Sequence, residues 1–176
     1  MEYRVIDNFL HPKNFEFLRD EIIFNQYFPF YISESVASNK TQPGYDGNVE
    51  NQNWNWFATH TVYDVIPTSD RFAKISDVFL TALGELEMVK SLMRIKINFY
   101  PNTPSIKEHA SHTDYGFSHK SAVYSLNTCD GFTRMPNGDK VNSVANRIVI
   151  FDGGELHNSS TVTNAKGRFN IVLNWL

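Results

Sequence analysis

Residues 92–100 read Leu92-Met93-Arg94-Ile95-Lys96-Ile97-Asn98-Phe99-Tyr100, with Pro101 next. Met93, Ile95, Ile97 and Phe99 alternate with Arg94, Lys96, Asn98 and Tyr100. Successive side chains of an extended segment point to opposite sides, so this period of two marks a strand with one apolar and one polar face. Pro101, Asn102 and Pro104 end it, because proline lacks the ladder donor and favours turns. The same texture returns at 168–175, where Phe169, Ile171, Leu173 and Trp175 alternate with Arg168, Asn170, Val172 and Asn174. Shorter strand candidates lie at 121–126 and 147–151.

The first half has a different texture. Residues 2–9 read as a short strand, and His11-Pro12 opens a helix, since proline is tolerated in a first helical turn. Phe15, Leu18, Ile22 and Ile23 recur at helical spacing and give it one apolar face. Residues 33–55 are polar and rich in Asn, Gly and Gln, which predicts a long loop of the kind that often binds ligands. Trp54, Trp56 and Phe57 close that loop and enter a strand running to Tyr63. Pro67 breaks the strand, and Thr68 or Ser69 can cap a second helix burying Phe72, Ile75, Val78, Phe79 and Leu83. Helices early and short strands late imply an α+β chain, mainly β, with its strands in a sandwich or barrel.

The length of 176 residues and the 41% hydrophobic content fit one domain, 1–176, helical to about 90 and mostly strand from about 91. A net charge of −3 lacks the broad basic field of a general nucleic-acid binder. Cys129 is the one cysteine, so no intramolecular disulfide forms, which fits a reducing compartment. The opening MEYRVIDNFL is not a secretory pattern, and no apolar run reaches the roughly 18 residues of a membrane span. These features read as a cytoplasmic protein, in the host cytoplasm if the chain is virus-encoded.

His112-Thr113-Asp114 places an imidazole and a carboxylate two residues apart, on one face of an extended segment. His157 offers a second imidazole from a distant stretch, after the turn Asp152-Gly153-Gly154. Two histidines and one carboxylate on one face of an octahedral ion leave open positions, the arrangement suited to Fe(II) oxygen chemistry. His-x-Asp alone is a weak signal, and a surface-turn histidine is the plain alternative. Its company strengthens it: eleven residues after His157 comes Arg168, whose planar fork suits a remote carboxylate.

This set, in this order, resembles the 2-oxoglutarate/Fe(II)-dependent dioxygenases, most closely the prolyl-4-hydroxylase-like branch. Flanking segments share the resemblance: Asn98-Phe99-Tyr100-Pro101, Tyr124-Ser125-Leu126-Asn127, Gly131-Phe132-Thr133 and 146–152. It covers about residues 92–176. It implies a double-stranded β-helix, a jelly-roll or cupin-like core, with the N-terminal helices packed on one sheet. It implies iron held by His112, Asp114 and His157, and 2-oxoglutarate held by Arg168 with Tyr100, Thr133 and Asn170 beside it. It also implies O₂ as co-substrate, ascorbate as reductant, and release of succinate and CO₂ as an unactivated C–H bond is hydroxylated. Family halogenases lack the carboxylate, so Asp114 favours hydroxylation. A prolyl or other residue of a peptide or protein is the implied substrate, with a small molecule as the alternative. One departure is Ser125, where many relatives carry tyrosine; Tyr124 lies one residue earlier and on the opposite face.

Substrate contacts are expected from residues 33–55 and 104–111. Trp54 and Trp56 read either as core aromatics or as a platform on one strand face. His109 reads as lining the site mouth rather than as a ligand. His119 reads as an exposed loop residue or a substrate contact. His60 and Asp64 read as ordinary strand residues, and Cys129 as a small buried or turn residue. Two other functions fit the pattern less well. A nucleic-acid demethylase of the same superfamily shares Arg168-x-Asn170 but has a further arginine where Asn174 stands, and a silent metal- or 2-oxoglutarate-binding module needs no intact set.

Overall fold

The computed structural model describes residues 2–37 and 53–176. Eight strands form one antiparallel sheet: β1 (Arg4–Ile6), β2 (Tyr31–Ser33), β3 (Phe57–Asp64), β4 (Ile66–Pro67), β5 (Leu92–Pro101), β6 (Lys120–Ser125), β9 (Arg147–Asp152) and β11 (Gly167–Trp175). Their order is β1-β9-β6-β11-β5-β3-β2, with β4 paired to β3. A second, three-stranded sheet runs β10 (Asn158–Ser159), β7 (Phe132–Arg134), β8 (Lys140–Asn142). Isolated bridges Glu108↔Ser160 and His112↔His157 tie residues 108–112 to the chain around β10. The paired sheets match the expected double-stranded β-helix.

Helix α1 (Pro12–Arg19) starts as the sequence suggests, with proline in its first turn and the His11 ring accepting the Lys13 N–H. A π-helical turn, Asp20–Phe24, extends it and keeps Ile22 against the core beside Leu18. Helix α2 (Phe72–Gly84) is capped at Arg71 and begins two residues later than a cap at Ser69 would place it. The Ser69 hydroxyl instead accepts from Arg71 N–H and hydrogen-bonds the His60 ring. Both helices pack on the large sheet. Leu18, Ile22, Ile75, Phe79 and Leu83 meet Ile95, Ile97, Ile150, Ile171, Leu173 and Trp175 in one core. Burial of this kind contributes about 25 cal/mol per Å² of apolar surface and is the main stabilising term.

A smaller core lies between the sheets, where Val123, Val149, Phe151 and Val172 meet Met135 and Val141. The polar face of β5 and β11 therefore does not look at water. Asn98, Tyr100, Arg168, Asn170 and Asn174 are all buried. Four strands, β1 to β4, come from the half that reads as helical, and residues 33–55 start on the end of β2. Residues 38–52 of the expected loop lie outside the described residues. Tyr124 faces the helices, T-shaped to Phe79, with its hydroxyl donating to Asn146. Ser125 faces the other way, 3.2 Å from Ser143. No described helix is long and apolar enough to cross a membrane.

Candidate metal centre and anion pocket

His112 and His157 face each other because their backbones do. The two residues exchange N–H···O bonds of 2.9 and 3.0 Å, and their rings sit 4.7 Å apart. The His157 Nδ1–H donates to Glu155 O at 2.9 Å, and His112 Nδ1 points at Ala110 O at 3.4 Å. Bonds of this type fix the tautomer and leave Nε2 as the metal donor. Asp114 is set by its N–H on Gly153 O. One donor atom from each of His112, Asp114 and His157 lies within 4.8 Å of the others. Among the described residues this is the one such group of metal-capable side chains.

The electrostatics suit ligation. Burial, with the neighbouring His157, lowers His112 to about 4, so its ring is neutral at neutral pH. Burial pushes the Asp114 carboxyl up, but the Arg94 charge, His157 and the Ser121 and Asn174 hydrogen bonds outweigh it and hold it at about 2. Arg94 Nη2 sits 2.8 Å from Asp114 Oδ1, while Ser121 Oγ and Asn174 Nδ2 donate to Oδ2 at 2.7 and 2.8 Å. The His112 ring and the Asp114 carboxylate are thus deprotonated and oriented before any ion arrives.

Arg168 occupies the far end of the same inner face, opposite Tyr100 on β5. It is 1% exposed and makes no ion pair among the described residues. Its guanidinium donates to Ser143 Oγ, Phe132 O and Thr133 Oγ1 at 3.1, 2.8 and 2.8 Å and lies over the Tyr100 ring. A buried cation with neutral partners only is costly, and an anionic ligand is the natural remedy. Tyr100, whose own pKa burial raises, is hydrogen-bonded to Ser159 and Asn170. Asn170 accepts from Asn98 at 3.2 Å rather than touching Arg168. Tyr100, Thr133, Asn170, His112, Asp114 and His157 line one cavity with Lys96 and Asn98. A larger open groove of about 710 Å³ lies elsewhere, along Glu2, Glu87 and Asp152, and holds none of the three metal-capable residues.

The remaining candidates are redistributed. His109 is wholly buried, not at a mouth; Nδ1 bonds Ser159 Oγ at 2.9 Å and Nε2 has no hydrogen-bond partner among the described residues. His119 is also buried, not exposed: its Nδ1 meets Phe117 O, and its Nε2 lies 3.2 Å from Asn174 behind Asp114. The segment leading into β6 folds back there, which polar composition alone does not show. Trp54 and Trp56 do not share a face. The chain turns at Trp54 and is not extended until Phe57. Trp54 consequently meets His109 on the cavity side, while Trp56 meets Phe99 on the opposite side of β5. His60 is a structural strand residue, bonded to Pro29 O and Ser69. Arg94, Lys96, Ser121, Ser143, Ser159 and Asn174 join the site without being singled out by motif. For Arg94, Lys96 and Asn174 the available signal was their place in the polar registers of β5 and β11.

No protein-family model and no curated protein matches the sequence. Solved structures do match the architecture. The prolyl hydroxylase of Trichoplax adhaerens, in complex with a hypoxia inducible factor oxygen degradation domain peptide fragment, is 14% identical, over 99% of this chain and 83% of that one, with a TM-score of 0.65. A prolyl-4-hydroxylase of Pseudomonas putida is 16% identical, over 98% and 90%, with a TM-score of 0.56. A 2OG-Fe(II) oxygenase family oxidoreductase from Burkholderia pseudomallei is 12% identical, over 98% and 84%, with a TM-score of 0.66. The chain therefore carries a double-stranded β-helix fold like that of these two prolyl hydroxylases and this 2OG-Fe(II) oxygenase.

Proposed function

We propose that this chain is an iron(II)- and 2-oxoglutarate-dependent oxygenase that hydroxylates an unactivated C–H bond, with a prolyl or other peptide residue as the substrate class. The observation that carries the reading is one cavity lined by a His-Asp-His donor set and by Thr133 and Tyr100, the two residues that contact the buried Arg168 guanidinium, which has no ion-pair partner among the described residues. Iron and 2-oxoglutarate would supply the oxidising chemistry, with succinate and CO₂ as by-products.

His112, Asp114 and His157 would hold the metal on one face and leave its other positions to small ligands. Arg168, with Thr133 and Tyr100 beside it, would bind the far carboxylate of 2-oxoglutarate and so fix its orientation. Arg94, Ser121 and Asn174 hold the Asp114 carboxylate in place, and Val123 and Val172 keep one wall of the cavity apolar. The peptide substrate class is supported by the peptide bound to the Trichoplax enzyme.

The test is succinate formation from 2-oxoglutarate by purified protein with Fe(II), ascorbate and O₂, beside Asp114→Ala and Arg168→Ala. Turnover in the wild type that disappears in both folded variants supports the oxygenase. Failure of well-folded wild-type protein to bind either iron or 2-oxoglutarate would remove it.

A further inference from the structure

Two cations stand next to each other on the inner face of β5. Arg94 is matched: Asp114 lies 2.8 Å from its Nη2, Asn174 Oδ1 accepts from its Nε at 3.0 Å, and the Tyr115 ring lies below it. Lys96 is not. Its ammonium sits 5.5 Å from the Phe57 ring centre, and no carboxylate among the described residues lies within ion-pair distance. It lines the cavity with all three metal-capable residues. Arg94 repels it, and Asp114 and Asp64 attract it from further off. Burial and Arg94 lower its pKa only to about 8, so the charged form predominates at neutral pH.

The strand register separates Lys96 from the anion pocket. Arg168 pairs with Tyr100, Asn170 with Asn98, Val172 with Lys96 and Asn174 with Arg94. Lys96 is therefore four residues from Tyr100 along β5, roughly 13 Å at about 3.3 Å per residue. On the oxygenase reading both charges of 2-oxoglutarate have partners, one at Arg168 and one at the metal. Lys96 is left beside the metal site with no carboxylate among the described residues in ion-pair contact, Asp114 being engaged by Arg94, and a part-buried ammonium of this kind calls for an anion.

We propose, resting on that reading, that the substrate carries a carboxylate within a few bonds of the oxidised carbon and that Lys96 receives it. The carboxylate is either that of a free amino acid or an acidic side chain in a peptide. Phe57 backs the ammonium and limits its hydration, which strengthens the pairing. The site then selects by charge close to the metal, and an amide of the same shape leaves Lys96 unpaired.

The experiment uses anaerobic full-length protein loaded with Fe(II) and saturating 2-oxoglutarate, with the visible absorption of the chelate as readout. Three pairs are titrated: L-proline against L-prolinamide, L-glutamate against L-glutamine, and blocked Asp-Pro against blocked Asn-Pro dipeptides. The expected result is binding of the acid at least about ten-fold tighter in one pair or more. That ratio should fall to near one in Lys96→Met and return in Lys96→Arg. Preference in either of the first two pairs indicates a free amino acid, and preference confined to the third a peptide side chain. The proposal is overturned if no pair favours the acid, or if the preference survives in Lys96→Met. It is equally overturned if Lys96→Met weakens 2-oxoglutarate binding while the ratio stays unchanged, which would give Lys96 to the co-substrate. Loss of the chelate absorption itself in the wild type is a distinct result, and removes the oxygenase reading together with this one.

Discussion

The Asp114 carboxylate accepts three hydrogen bonds, from Arg94, Ser121 and Asn174, which leave it little freedom. Partners of this kind orient a ligand, and their loss typically costs ~10–100-fold in metal affinity. Ser121→Ala is therefore expected to weaken Fe(II) binding by about ten-fold while leaving the thermal midpoint close to wild type, read by metal titration and melting side by side. An unchanged metal affinity would show that the hydroxyl positions nothing. A second residue-scale consequence concerns acid. The folded-state values of His109 and His112, about 3 and about 4, lie below the 6.5 of the unexposed-to-partner histidine in an unfolded chain. Between those values the unfolded chain binds more protons, so stability rises with pH there. It is fully present above about 6.5 and is lost progressively as the pH falls toward 4 and then 3. The metal-free protein should lose stability from pH 7 to 5 with a slope on the order of 1 kcal/mol per pH unit for each such histidine. Urea midpoints across that range measure it, and His109→Gln should flatten the dependence. A slope the same in wild type and variant would count against a neutral, buried His109.

At the level of the element, β5 and β11 serve two interiors at once. Ile95, Ile97, Ile171 and Leu173 face the helices, while Asn98, Tyr100 and Asn170 face the cavity and Arg168 meets its wall at Thr133. Phe79 joins α2 to this arrangement, fully buried and T-shaped to Tyr124. Phe79→Ala should cost about 3–5 kcal/mol in chemical denaturation, and the fraction that remains folded should still bind metal, because α2 touches no ligand residue. Loss of metal affinity in that folded fraction would show that the helix layer also shapes the site. The alternation on these strands was plain in the sequence, as were the helix opened by His11-Pro12 and the His112, Asp114, His157 and Arg168 set. The destination of the polar face was not, because period two separates faces without saying whether the second meets water or another sheet. Lys96 and Arg94 look like ordinary solvated residues until the small sheet is placed opposite them. His119 was misread for a related reason: its burial depends on Asn174, 55 residues away, and on Gly153, where a Cβ would come within 2.3 Å of its ring. Local composition carries no trace of either neighbour.

For the molecule as a whole, Arg168 is a buried charge retained without a counter-charge among the described residues. On the oxygenase reading, filling the cavity should therefore stabilise the fold as well as start its chemistry. A ligand at about 100 times its dissociation constant adds about 2.7 kcal/mol, which for a chain of this size raises the melting midpoint by roughly 5–10 °C. Mn(II) with 2-oxoglutarate should produce a rise of that order in wild type and little in Arg168→Ala; equal rises in both would dissociate Arg168 from the anion. The order of the large sheet has a last consequence, for how the molecule comes into being. Strand β11 lies between β6 and β5, near the middle of the sheet, although it follows every other strand in the chain. A nascent chain emerging from the ribosome has β5 and β6 in hand but no strand to join them until residues 167–175 are out. Strand β1, made first, waits for β9 in the same way. Vectorial synthesis thus leaves two half-sheets with open edges, which are exposed to mispairing for as long as translation lasts. Because β11 also brings Arg168, the proposed anion pocket and the sheet's closure arrive in a single event.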